Sequence, residues 1–427
     1  MSSSVAHAEL VWESATTLER TARPIAPTVF SMTYDIALGA MLFGTVQDER
    51  RSFEILDHFV EAGGVWIDTA NCYAFWEHPS GFGGQSEELL GRWLARRPGV
   101  RDRVKISTKV GCEPTVAGRF PETAEGLSAP VVKNGIEGSL RRLGTDHVDL
   151  YWAHKEDRRT PLAETVAAFD ELVSAGTVGA LGCSNYAVWQ VERAREIARA
   201  NGLTGFTAVQ QHRSYLRPRP GTRPTVVHRF GEVSDEVVDY LECHPEMSLW
   251  AYTPLLGGGY TRADKPLPPE YAHPGTDRRL AVLDEVAAET GTTRNHVVLA
   301  WLTGGSPAAV PIVGVSTVAQ LREALAGVAR CSPPSSANAS TRQPDPTVRL
   351  GRSDPTARPG GPTGRAGRRR VWVRGPARVR VTTARVATRT RCPRSGLTAR
   401  VLPRCRRARR AGRGSCGRRR CRGRRPP

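Results

Sequence analysis

The chain predicts an α/β fold, a TIM (β/α)8 barrel, on three observations. Between about residues 36 and 328, eight short apolar or β-branched runs alternate with longer stretches of helical period, the pattern of repeated βα units and a parallel sheet. Several of those runs end on a polar residue, as in Val65-Trp66-Ile67-Asp68, Ile106-Ser107-Thr108-Lys109 and Leu150-Tyr151-Trp152-Ala153-His154. A barrel gathers such residues over one mouth, because the carboxyl ends of all its strands lie on the same face. No GxGxxG follows the first run, which argues against a doubly wound dinucleotide-binding sheet.

Taken in order, strands are expected at 37–43, 65–68, 104–109, 148–152, 178–183, 206–210, 247–252 and 309–313. Helices are expected at 49–61, 86–95, 130–143, 162–175, 188–200, 277–290 and 294–302. Gly63-Gly64, Gly144, Gly176, Gly202 and Gly291 each follow the last periodic residue of a helix, where a left-handed glycine ends it. Two Gly/Pro-rich insertions, 217–224 and 255–274, follow strands and are expected to hang over the mouth. Residues 1–31 show no clear period and form a poorly ordered extension ahead of a barrel at 32–330.

The charge is divided unevenly along the 427 residues. Residues 331–427 carry 28 Arg, no Lys and two acidic groups, Asp345 and Asp354, a net of +26; the whole chain is +19, which leaves 1–330 at −7. The tail, rich in Arg, Pro, Gly, Ser and Thr, cannot bury enough apolar surface to offset its ordering entropy and reads as disordered. Arg406-Arg407-Ala408-Arg409-Arg410 would neutralise phosphates, but Trp372 is the tail's one aromatic available to stack on bases. Arginine without lysine, joined abruptly to an ordinary domain, is instead what an out-of-frame reading of a GC-rich gene produces, and nucleic acid is not the expected partner. No apolar run is long enough to cross a bilayer and no signal-peptide pattern opens the chain, so a cytoplasmic protein is expected. Cys72, Cys112, Cys183 and Cys243 are scattered singly, and the tail cysteines form no CxxC pair, so neither disulfides nor a zinc site are expected.

The polar strand ends compose a carbonyl-reducing site. Reduction needs a hydride donor held against the carbonyl carbon and a proton source for the oxygen. Tyr73 is the candidate proton donor, and Lys109 a cation that lowers the phenol pKa from its ordinary value of about 10. Asp68 would pair with Lys109, and His154 would hydrogen-bond the carbonyl oxygen. Each residue alone has a duller role, as turn cap, solvated cation, core-edge aromatic or satisfied core histidine. Their order, spacing and shared barrel face favour catalysis.

These stretches resemble the aldo-keto reductases. Besides the three runs above, the matches are Thr69-Ala70-Asn71-Cys72-Tyr73, Gly84-Gln85-Ser86-Glu87-Glu88-Leu89-Leu90-Gly91, Gly182-Cys183-Ser184-Asn185-Tyr186, Ala251-Tyr252-Thr253-Pro254-Leu255 and Pro311-Ile312-Val313-Gly314. The resemblance implies a catalytic tetrad of Asp68, Tyr73, Lys109 and His154, a nicotinamide cofactor and no metal. It implies that Ser184, Asn185 and Gln210, or its neighbour Gln211, bind the nicotinamide carboxamide, and that Tyr252 stacks on the ring. Gly314, Ser316, Thr317, Gln320 and Glu323 match the segment for the pyrophosphate and adenosine end.

Two departures stand out. That last segment has Ser316, Thr317 and Gln320 where the family commonly has Arg or Lys for the cofactor 2′-phosphate, and Ala324 where Asn is common. NADPH is expected on family grounds, with NADH possible. The match also stops near Ala329, before the family's C-terminal helix and loop. Phe75, Trp76 and Phe82, with Trp152 and Tyr215, are expected to line an aromatic substrate pocket suited to aldehydes, ketones or quinones. Two rival functions are a catalytically weak, cofactor-binding regulatory subunit on the same fold and nucleic-acid binding through the tail.

Overall fold

In the computed structural model, described over residues 36–222 and 228–329, eight parallel strands close into a barrel in sequence order. The strands are β1 (Ala37–Gly39), β2 (Trp66–Asp68), β3 (Lys105–Val110), β4 (Leu150–Ala153), β5 (Leu181–Ser184), β6 (Ala208–His212), β7 (Ser248–Tyr252) and β8 (Ala309–Val313). The barrel shuts where Ala37 of β1 pairs with Ile312 of β8. The helices are α1 (Glu49–Glu61), α2 (Gln85–Ala95), α3 (Ala129–Leu143), α4 (Leu162–Ser174), α5 (Val188–Ala200), α6 (Asp235–Cys243), α7 (Pro274–Thr290), α8 (Arg294–Thr303) and α9 (Val318–Ala329). They sheathe the strands, and the outer layer closes where α9 meets α1. The 1–31 extension and the 331–427 tail lie outside the described residues. Among the described residues, no helix is long and apolar enough to cross a membrane.

Residues alternate faces along each strand, because successive side chains point to opposite sides of the pleat. Leu38, Ile67, Ile106, Val209 and Leu249 point outward into the main core beneath the helices. Ala37, Trp66, Leu150, Trp152, Ala208, Trp250 and Ile312 point inward and fill the barrel. Trp250 meets Trp66 and Trp152 edge to face, at 5.1 and 5.5 Å between ring centroids. Trp152 also lies over Gly182, where an added Cβ would sit 2.3 Å from its ring. Glycine is therefore the residue that leaves room for the indole.

Helix ends follow local chemistry. Asp48, Ser234 and Thr293 cap α1, α6 and α8 by accepting backbone N–H bonds. Gly63, Gly144, Gly176, Gly202 and Gly291 all have positive φ, as expected of their stops. Of the two insertions, 255–274 reaches the mouth. The described part of the first, through Thr222, braces the second instead: Arg219 donates its N–H to the Glu270 carbonyl at 2.8 Å, and the Arg217 carbonyl accepts from His273 at 3.0 Å. Among the described residues the four cysteines are free, three buried and Cys243 exposed.

Candidate active site

Two residues beyond the tryptophan layer, at the next inward positions, the strands turn polar. Asp68, Ser184 and Tyr252 end their strands, Gln210 is the central residue of β6, Lys109 is the inward residue two beyond Ser107, and His154 follows β4 directly. Period-two alternation and a common strand direction bring them together over the layer of indoles.

Lys109 is fully buried, and its three ammonium protons are all used. It donates to Asp68 Oδ2 at 2.5 Å, to the Thr69 carbonyl at 2.7 Å and to Tyr73 Oη at 3.1 Å. Asp68 Oδ1 accepts from Ser107 Oγ at 2.7 Å and Gln210 Nε2 at 3.3 Å, so the carboxylate is satisfied on both oxygens. A buried ion pair is tolerated only with such complete hydrogen bonding. Behind β3, Thr108 donates to the buried Glu87 at 2.5 Å, and Glu87 pairs with Arg142 at 2.7 Å, which fixes the strand that aims Lys109.

The tyrosine's acidity departs from expectation. Burial and the nearby Asp68 carboxylate push the Tyr73 phenol well above its ordinary 10, against the lowering anticipated from Lys109. The low-polarity surroundings disfavour phenolate more than one already paired ammonium favours it. Tyr73 is thus a protonated phenol at neutral pH. Burial, with the Lys109, His228 and Lys155 side chains, drives His154 well below its ordinary 6.5, so that imidazole is neutral. The Tyr73 and His154 rings meet edge to face at 5.8 Å.

Asn185 follows β5 with φ 59°, a left-handed conformation that asparagine tolerates better than most residues. Its Nδ2 donates to the His154 carbonyl at 2.9 Å and to Ser184 Oγ at 3.0 Å, and its Oδ1 accepts from Tyr252 Oη at 2.8 Å. Ser184 in turn donates to the Gln210 carbonyl at 2.9 Å. Gln211 points the other way, donating to the Tyr186 carbonyl at 2.9 Å, so of the two glutamines Gln210 faces the cavity.

The polar ring opens on a cavity of about 1010 Å³, with Lys109 buried behind Asp68 and Tyr73 and outside its lining. Asp68, Tyr73, His154, Ser184, Asn185, Gln210, Tyr252, Gly314, Ser316, Gln320 and Glu323 line it, together with Phe75 and Trp76. Several expected residues do not. Trp152 is fully buried in the barrel interior, a layer below His154, and belongs to the core rather than the pocket wall. Phe82 lies outside the lining and 40% exposed, and Tyr215 packs on Trp301 at 5.5 Å. Thr317 caps α9 instead, accepting the Gln320 N–H at 3.2 Å.

The structure adds lining residues that motif reading missed: Cys72, Phe120, His228, Arg262, Lys265 and Asn295. Arg262 and Lys265 had a signal, being cations in the Gly-rich insertion after β7. Phe120 touches Phe75 at 5.6 Å from a loop some 45 residues away in sequence, so only folding reveals it. His228 is pushed down to about 4, chiefly by burial. Glu113 and Glu125 hold the neighbouring loops, accepting from the Gly83 N–H at 2.9 Å and from Asn71 Nδ2 at 2.8 Å. Among the described residues, no cluster of His, Cys, Asp or Glu could hold a metal ion.

The residues fit a nicotinamide dinucleotide. Ser184, Asn185 and Gln210 offer the mixture of donors and acceptors that a carboxamide requires, and the Tyr252 ring flanks them. A Cβ on Gly314 would meet nothing nearer than the Gly39 carbonyl at 4.0 Å, so glycine leaves open space on that wall.

Comparison with known proteins agrees with this geometry. The model of the aldo/keto reductase family matches residues 35–334. An uncharacterized oxidoreductase, YrpG, of Bacillus subtilis is 31% identical over 303 residues, covering 69% of this chain and 86% of the relative. Norsolorinic acid reductase A of Aspergillus parasiticus is 29% identical over 315 residues, covering 70% and 75%. An aryl-alcohol dehydrogenase of Pestalotiopsis microspora is 28% identical over 307 residues, covering 68% and 74%. Barrel, polar ring and family match converge: the chain belongs to the aldo/keto reductase family and is an NAD(P)-dependent oxidoreductase.

Proposed function

We propose that the protein reduces the carbonyl of an apolar, aryl-bearing aldehyde, ketone or quinone, with NADPH as cofactor and Tyr73 as proton donor. The observation that carries this reading is the Lys109 to Tyr73 hydrogen bond at 3.1 Å, beside a neutral His154 on a cavity wall. Bound nicotinamide would supply hydride to the carbonyl carbon. Tyr73 then gives its phenolic proton to the oxygen as that oxygen gains charge. Lys109 donates to Oη, leaving the phenol's own hydrogen free for the substrate, and its positive charge stabilises the phenolate left behind. His154 holds the carbonyl oxygen from the other side.

The pocket's aromatic rim supports the substrate class. Phe75 packs edge to face on Trp76 at 5.0 Å, Phe120 closes behind them, and Trp76 remains 47% exposed. Such walls favour flat apolar groups over charged sugars. Relatives named for norsolorinic acid and aryl alcohols point the same way. For the cofactor, Ser184, Asn185, Gln210 and Tyr252 would take the nicotinamide end, and Ser316, Gln320 and Glu323 the adenosine end. Ser316 and Gln320 bring no charge for a 2′-phosphate, so the NADPH preference over NADH is modest, and Gln320→Arg enlarges it.

The test is NADPH oxidation by the full chain with a panel of aromatic aldehydes and quinones, beside a Tyr73→Phe control. Turnover that falls at least about a hundredfold in the control supports the reading. A folded protein that binds NADPH without turnover would replace it with a regulatory role.

A further inference from the structure

We propose that Cys72 is a positioning residue that sets the tautomer of His154: its thiol donates to Nδ1, so the ring proton resides on Nε2 and is offered to the substrate oxygen. The proposal rests on the carbonyl-reductase reading for what that donor does, but the tautomer itself can be measured without turnover.

The geometry is a contact of 3.6 Å between Cys72 Sγ and His154 Nδ1, both side chains being buried. Two arrangements satisfy it. Either the thiol donates to a bare Nδ1, or Nδ1–H donates to sulfur. Thiol hydrogen and sulfur are both weak partners, but the second arrangement leaves the buried thiol's own hydrogen without an acceptor, whereas the first uses it, so the first is favoured. Burial, reinforced by the nearby Cys112, Glu113 and Glu125, pushes the Cys72 thiol well above its ordinary 9, so its proton stays in place to be donated. The imidazole is neutral, and one nitrogen therefore has to be bare. With Nδ1 accepting, that bare nitrogen is accounted for.

The consequence is chemical. A histidine whose Nδ1–H is held by a carboxylate presents a lone pair at Nε2 and works as a base. Here the arrangement is reversed, and the ring presents a hydrogen-bond donor, as a developing negative oxygen needs. The opposite tautomer would aim a lone pair at that oxygen. Asn185 pins the same residue from behind through the His154 carbonyl at 2.9 Å, so backbone position and ring protonation are fixed separately.

Cys72→Val removes the donor at similar volume, and Cys72→Ser keeps a donor while reducing volume, so the two variants separate hydrogen bonding from packing. In full-length protein carrying 15N-labelled histidine, with His154→Gln to assign the signal, His154 is expected in the Nε2–H form in wild type and in Cys72→Ser. In Cys72→Val it is expected to lose that single form. kcat is expected to fall about tenfold in the valine variant, roughly the factor one hydrogen bond supplies, and to stay within about twofold in the serine variant, with KM for NADPH unchanged in both. Wild-type His154 protonated on Nδ1, or a valine variant with unaltered tautomer and kcat, overturns the proposal. If Nε2–H is found yet no carbonyl compound is turned over, the tautomer assignment stands and the reductase reading fails.

Discussion

Replacing Lys109 by methionine removes a fully buried ammonium and its bonds to Asp68, the Thr69 carbonyl and Tyr73. The Asp68 side chain, 3% exposed, keeps only Ser107 and Gln210 as donors. Breaking a buried pair from one side costs about 3–5 kcal/mol, because the remaining charge is uncompensated. Lys109→Met should therefore lower the stability of the full chain by that amount. Adding Asp68→Asn removes the stranded charge while keeping an oxygen for Ser107 and Gln210, and should recover at least about 2 kcal/mol. Activity should not recover: both variants lose about a hundredfold or more in kcat, because the phenolate is unsupported. Urea unfolding followed by tryptophan fluorescence reads the stability, Trp66, Trp152 and Trp250 all lying in the barrel interior. A single variant within about 1 kcal/mol of wild type, or a double variant no more stable than the single, would refute the reasoning.

Three further outcomes follow from the same contacts. With the His154 pKa held well below 6.5, kcat should be flat through that pH, while stability falls as pH drops below 6.5 and the unfolded chain takes up a proton that the folded one refuses; a kcat inflection near 6.5 that disappears in His154→Gln would contradict this. Burial raises Glu113 from 4.5 to about 7, so the folded state retains a proton the unfolded state has released, and stability is lost as pH rises between those values. Melting curves of Glu113→Gln, which keeps the acceptor for the Gly83 N–H, should match wild type near about pH 4.5 and lie above it near about pH 8. Trp152→Ala should destabilise by about 3–5 kcal/mol by opening a cavity in the barrel. Trp76→Ala should leave stability within about 0.5 kcal/mol and raise KM for aryl substrates, and a reversal of these two patterns would return Trp152 to the pocket.

Much of this was legible in the sequence because it is local. The bounds of α1 and α5 follow from apolar period alone, and β8 from a short run between turns. Polar residues ending apolar runs located the polar ring at the barrel mouth, since strand direction is shared around a barrel. What the sequence concealed depends on layers and on distance. Trp152 and His154 share the inward face, and only the interior stacking on Trp250 and Gly182 tells that one fills the core while the other reaches the mouth. Thr317 looked like a ligand but ends as a helix cap, a role that Ser/Thr side chains take at low cost. The upward direction of the Tyr73 pKa was concealed too, because a nearby lysine is visible as a motif whereas desolvation is a property of the folded surroundings. Cys72 precedes Tyr73 in the chain, yet its partner lies 82 residues away.

The most direct measurement follows the hydride itself. The full chain is given an aromatic aldehyde and NADPH carrying deuterium at one face of the transferable ring carbon, then NADPH labelled at the other, and the alcohol is analysed by mass spectrometry. Direct transfer over a fixed nicotinamide predicts one deuterium on the carbinol carbon from one labelled face and none from the other. Deuterium from both faces, or from neither while alcohol still forms, would contradict hydride transfer in this cavity.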